Sequence, residues 1–165
     1  MLKNLHIENI AVISCADVAF SDGFCVMTGQ TGAGKSVIVD SIMLVCGAKG
    51  DRELVRSGQS TACVTAHFAE LSDAAAKALD ALGIACDDKE VVLQRTLSAD
   101  GKSTARINGR TATLGMLREA STHLISIHGQ DDNRLLADLT YHMDMLDAYA
   151  DIDAKKSAYA KENII

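Results

Sequence analysis

The feature that most narrows what this chain can fold into is residues 29–36, GQTGAGKS, which continue directly from the apolar run FCVMTG. The spacing G-x-x-x-x-G-K-[ST] assigns each position a separate task on a polyphosphate. Gly29, Gly32 and Gly34 allow close backbone approach, so that successive N–H groups point at phosphate oxygens. Lys35 supplies a mobile positive charge for the terminal phosphates, and the Ser36 hydroxyl is placed to ligate Mg²⁺. Such a loop works only between a strand and the N-terminus of a helix, whose dipole favours the anion. The expectation is an α/β phosphate-loop domain that takes ATP and Mg²⁺ through Gly29, Gln30, Thr31, Gly32, Ala33, Gly34, Lys35, Ser36 and Val37.

The chain has the material for such a domain: 165 residues, 48% hydrophobic, with a mean hydropathy of +0.10. Its apolar stretches fall short of the roughly 20 residues a membrane span needs, and its start lacks the pattern of a signal peptide. A cytoplasmic location without membrane contact is expected. The formal charge of −6 argues against nucleic-acid binding by the whole surface. The five cysteines show no C-x-x-C pairing and read as small buried hydrophobes rather than as a metal or redox site.

Three β-runs are expected over residues 2–28 as a meander: LKNLHIENI, AVISCADVAF and, after the Asp22-Gly23 turn, FCVMT. A buried helix follows over residues 35–46, with Ile38, Ile42 and Val45 at helical spacing. TACVTAHFAEL reads as a strand, and SDAAAKALDALG as a helix capped by Ser72 and ended by Gly83. EVVLQRTL and STARING form a hairpin about Asp100-Gly101, a short helix spans residues 113–121, and HLISI is an apolar strand before HGQDDN. From residue 134 the apolar positions repeat every three to four residues on an acidic segment, the pattern of a long helix or the beginning of a coiled coil. The final KENII carries no helix stop signal, which sets the expectation of a fragment.

A hydrolase of this kind also needs a strand-borne carboxylate for Mg²⁺ and a group that positions the attacking water. No apolar strand here ends in Asp or Glu: HLISI runs into His128, Gly129 and Gln130. Gln130 could reach the metal or the water through its amide oxygen, or cap loop backbone. His128 fits a structural imidazole equally well.

Taken together, MLKNLHIENIAVI, GFCVMTGQTGAGKSVIVDSIMLVCGAK, ELVRSG, ARINGR and HLISIHGQ resemble the head segment of the RecN family, bacterial DNA-repair ATPases. That family is similar to the structural-maintenance-of-chromosomes proteins and to ABC-type ATPase heads. The resemblance covers residues 1 to about 150. It implies the N-terminal lobe of a head over residues 1–133 and the start of a coiled-coil arm over residues 134–165. It also implies a C-terminal half that brings the signature motif and the acidic pair, and a second head that closes over ATP in a homodimer. Under it Lys35 and Gln130 act catalytically, Ser36 and Gln130 approach Mg²⁺, and the full protein works on DNA double-strand breaks at the nucleoid. Two departures stand out: Gln30 replaces a usual acid, and Asp131, Asp132 and Asn133 follow HGQ where His and Glu are usual.

Five basic residues, Arg95, Lys102, Arg106, Arg110 and Arg118, accompany one acid on and after the hairpin. They read either as a solvated surface or as DNA contacts. Lys49, Arg52 and Arg56 are alternative contacts to DNA or to a facing head. Two other classes stay open: a small phosphate-loop kinase, and a non-hydrolysing module that uses nucleotide only to assemble.

Overall fold

A computed structural model describes residues 1–28, 34–127 and Tyr149. The compact unit Met1–Ser126 is built on a six-stranded sheet of order β2-β1-β3-β4-β5-β6. Its strands are β1 (Leu2–Ile10), β2 (Ile13–Ala19), β3 (Thr61–Phe68), β4 (Val91–Ser98), β5 (Ser103–Ile107) and β6 (Arg110–Ala112). Every pairing among them is antiparallel. Three helices, α1 (Lys35–Val45), α2 (Asp73–Ala81) and α3 (Leu114–Thr122), complete the described mixed α/β fold.

Alternation sets which face is buried. Leu5 and Ile7 on β1, Ala62, Val64, Ala66 and Phe68 on β3, and Val91, Leu93 and Leu97 on β4 all point to one side. Leu44 and Val45 of α1 and Leu117 and Ala120 of α3 join them in one core. Each large aliphatic side chain fully buried there contributes about 1.5–3 kcal/mol. The sequence signals for the short helices hold. The Ser72 hydroxyl accepts from the Ala75 amide and Gly83 takes φ +74 beyond α2, while Thr113 caps α3 by accepting from the Met116 amide.

The Asp100-Gly101 hairpin is also present, with Gly101 at φ +85. A second hairpin was not expected from the sequence. Asn108 (φ +49) and Gly109 (φ +76) turn β5 into β6, an Asn-Gly pair of the kind that favours a two-residue turn. Asn108 ties the turn down by donating to the Ala85 carbonyl and accepting from the Val92 amide.

Two expected strands are absent. Residues 24–28 form no strand, so β1 and β2 make a hairpin rather than the first part of a three-stranded meander. Phe24 is 93% exposed and Val26 62%. Residues 123–127 likewise leave α3 through a turn without pairing. Both runs have strand composition, but a strand also needs a neighbouring strand to pair with, and neither run pairs with one among the described residues. Apart from Tyr149, the expected arm over 134–165, and hence the boundary at residue 133, lies outside the described residues.

Candidate phosphate-loop site

α1 begins where the motif requires it. Gly34 is its N-cap at φ +95, a left-handed conformation that suits glycine. The helix start has no side-chain cap and no acidic residue in its first turn. The positive end of the helix dipole favours an anion at this point. Ser36 is exposed, Lys35 and Val37 are half-buried, and Ile13 of β2 backs Gly34, with Cδ1 3.9 Å from where a Cβ would stand. Gly29, Gln30, Thr31, Gly32 and Ala33 lie outside the described residues. So do His128 and Gln130, and the structure does not place Gln130 beside Ser36 or away from it.

The other end of α1 is held firmly by residues whose role was not evident in the sequence. Arg118 of α3 donates through Nε to the Gly47 carbonyl at 2.7 Å, and the Ser121 hydroxyl donates to the Cys46 carbonyl at 3.0 Å. These bonds satisfy carbonyls that a helix C-terminus leaves open, and the guanidinium complements the negative dipole end. Gly47 takes φ +95, and a Cβ there would meet Arg118 Cγ at 2.5 Å. A Cβ on Gly50 would meet Leu97 Cδ2 at 2.6 Å. Burial pushes the Cys46 thiol up to about 11, so it stays protonated as packing. Inside the helix the Ser41 hydroxyl donates to the Val37 carbonyl at 2.6 Å.

The basic residues divide sharply. Arg95 points into the core and is 2% exposed, so it is removed from the set of DNA contacts. Its Nε and Nη1 have no hydrogen-bond partner among the described residues, and burial, with Arg118 nearby, lowers its pKa. The signal was available in the sequence: Arg95 shares its parity with Val91, Leu93 and Leu97 on one strand. Lys102 pairs with Asp100 at 2.7 Å, and Arg118 serves α1. Arg106 and Arg110 stay exposed on β5 and β6. Arg56 donates to the Val12 carbonyl at 2.6 Å and so braces the β1–β2 turn, whereas Lys49 and Arg52 are exposed.

The cysteines do not follow the expectation of burial: Cys15 and Cys25 are exposed, and Cys46, Cys63 and Cys86 are half-buried. No helix among the described residues is long and apolar enough to cross a membrane.

With this geometry in place, comparison with known proteins is decisive. The family model described as "AAA domain" matches residues 4–163. The chain belongs to the AAA-domain family. This AAA domain is 42% identical over 151 residues to the DNA repair protein RecN of Halalkalibacterium halodurans, covering 91% of the chain and 27% of that protein. It is 39% identical over 158 residues to the DNA repair protein RecN of Bacillus subtilis, covering 95% and 27%. The chain thus spans about a quarter of the length of the curated relatives it matches, and the resemblance to the RecN head segment holds. Among solved structures, the Smc head domain of Pyrococcus furiosus with an extended coiled coil superposes at a TM-score of 0.67 with 24% identity, covering 98% of this chain and 45% of that one. The recombination mediator RecF with ATP superposes at 0.60 with 17% identity, covering 90% and 38%. Both share the fold of this AAA domain.

Proposed function

We propose that this chain is the Mg–ATP-binding N-terminal lobe of a RecN-type ATPase head that acts in DNA double-strand break repair. The observation that carries the reading is the start of α1, where left-handed Gly34 leads directly into Lys35 and Ser36 and the first turn holds no acid. A helix N-terminus of this kind favours a phosphate group. Residues 29–37 hold the nucleotide in this reading, Ser36 and Gln130 approach Mg²⁺, and Lys35 and Gln130 serve the reaction. The bound Mg²⁺ supplies charge neutralisation between phosphates.

Hydrolysis in this reading needs a C-terminal half for the carboxylates and the signature motif, and a second head that closes over ATP. The exposed apolar side chains of Phe24, Val26 and Met27, just ahead of the loop, support such a covering partner. Arg106 and Arg110 are the remaining candidates for DNA on the β5–β6 hairpin, and a cytoplasmic, nucleoid-associated location follows from the same reading. Nothing observed favours a kinase, and a purely assembly-driving use of nucleotide differs only in lacking turnover.

The test is calorimetry of Mg–ATP binding together with a phosphate-release assay. The chain is expected to bind Mg–ATP with negligible turnover, and Lys35→Ala to lose the binding. Robust phosphoryl transfer to a nucleoside or small metabolite would sink the reading.

A further inference from the structure

Just ahead of the motif in sequence, the outward face of the β1–β2 hairpin carries an unusual set of side chains. The register pairs His6 with Asp17 and Glu8 with Cys15, so these four occupy adjacent positions on one face of two neighbouring strands. The His6 ring engages both acids: Nδ1 lies 2.7 Å from Asp17 Oδ1 and Nε2 lies 3.3 Å from Glu8 Oε1. The donor atoms of His6, Cys15 and Asp17 all fall within 4.8 Å of one another, and Cys15 and Asp17 are exposed. A tetrahedral zinc ion holds nitrogen at about 2.0 Å and sulfur at about 2.3 Å, which sets its donors about 3.3–3.8 Å apart. Small side-chain rotations close that gap without moving the strands.

We propose that His6 Nδ1, Cys15 Sγ and Asp17 form a zinc site, with water as fourth ligand and Glu8 accepting from His6 Nε2–H. The donor chemistry makes the choice of ion. A thiolate with an imidazole selects zinc over the hard cations Mg²⁺ and Ca²⁺, which prefer oxygen alone. A carboxylate on the far nitrogen of a ligating imidazole is the usual means of fixing its tautomer and ring plane, and Glu8 already stands there.

The site would staple β2, an edge strand of the described sheet that pairs with β1 alone, and whose Ile13 backs Gly34. Metal binding to the folded hairpin would therefore add to stability. The proposal is independent of any role in DNA repair.

Titration of the reduced chain with Co²⁺, followed by displacement with Zn²⁺, tests it. One equivalent of Co²⁺ should give the visible bands of a tetrahedral site and a near-ultraviolet thiolate-to-metal band, both lost on adding Zn²⁺. Cys15→Ser should remove the thiolate band and His6→Ala should weaken binding about 100-fold, while Glu8→Gln weakens it about 10-fold. Cys25→Ser and Cys63→Ser should leave the spectrum unchanged, and Zn²⁺ should raise the Tm of the parent chain but not of Cys15→Ser. Circular dichroism verifies that each variant is folded. Absence of a stoichiometric thiolate band, or its survival in Cys15→Ser, would overturn the assignment.

Discussion

The two ends of α1 are treated in opposite ways. At its C-terminus, carbonyls are taken by Arg118 and Ser121, Gly47 permits the turn, and Leu97 lies under Gly50. At its N-terminus there is no side-chain cap, no acid, and a left-handed glycine ahead of Lys35 and Ser36. A helix left uncapped at both ends would be weakened without purpose. One anchored at a single end can present the other to a ligand without losing its place on the sheet. The contrast teaches that the placement of α1 depends on α3, a helix some 70 residues further along the chain.

The largest way to break the contrast is Gly47→Ala. The added Cβ meets Arg118 Cγ at 2.5 Å on a backbone already at φ +95. A loss of about 2–4 kcal/mol is expected from denaturant unfolding. Combining it with Arg118→Ala should recover part of the loss, because the nearest obstacle, Cγ, is gone while the Arg118 backbone N at 3.2 Å remains. Additive losses in the double variant would show that Arg118 is not what confines Gly47.

The second prediction has the opposite sign. Arg95 is buried with two nitrogens that have no partner among the described residues. Arg95→Met keeps the volume and removes the charge, and is expected to stabilise the chain by about 1–3 kcal/mol. A fall in Tm would mean that the guanidinium has an acceptor.

The third effect is the smallest. The Asp100 carboxylate in the β4–β5 turn is held down to about 2, from an ordinary 3.8, first by its hydrogen bond with Lys102 and then by Ser98. Its folded pKa is depressed, so its contribution is present above the ordinary value and is lost as pH falls through about 2. Because the turn is exposed, the effect on global stability is slight. A carboxyl NMR titration should place the midpoint near 2 and show it rising in Lys102→Ala. An unchanged midpoint in that variant would remove Lys102 as the cause.

How much of this could be read from sequence depended on how local each determinant is. Ser72, Thr113, Gly83 and Asp100-Gly101 act within a few residues, and the elements they bound came out as read. Asn108-Gly109 is an equally local signal, and it bounds β6. Residues 24–28 and 123–127 failed for another reason: strand composition is local, but a strand exists only beside a partner. Arg95 was grouped with surface charge although alternation placed it among Val91, Leu93 and Leu97. Of the candidate site, Gly34, Lys35 and Ser36 were legible because the motif couples loop and helix start. The anchoring by Arg118 and Ser121, and the gathering of His6, Glu8, Cys15 and Asp17, needed the register and packing.

The central claim is that α1 offers its N-terminal end to a phosphate while Arg118 and Ser121 hold the other end. Amide hydrogen exchange with and without Mg–ATP tests this most directly. The account predicts that nucleotide slows exchange in the first turn of α1, at Lys35, Ser36, Val37 and Ile38, and leaves Cys46, Gly47 and Ala48 unchanged. It also predicts that Lys35→Ala abolishes the difference. Mg–ATP that left the first turn unaltered, or that protected both ends alike, would contradict it.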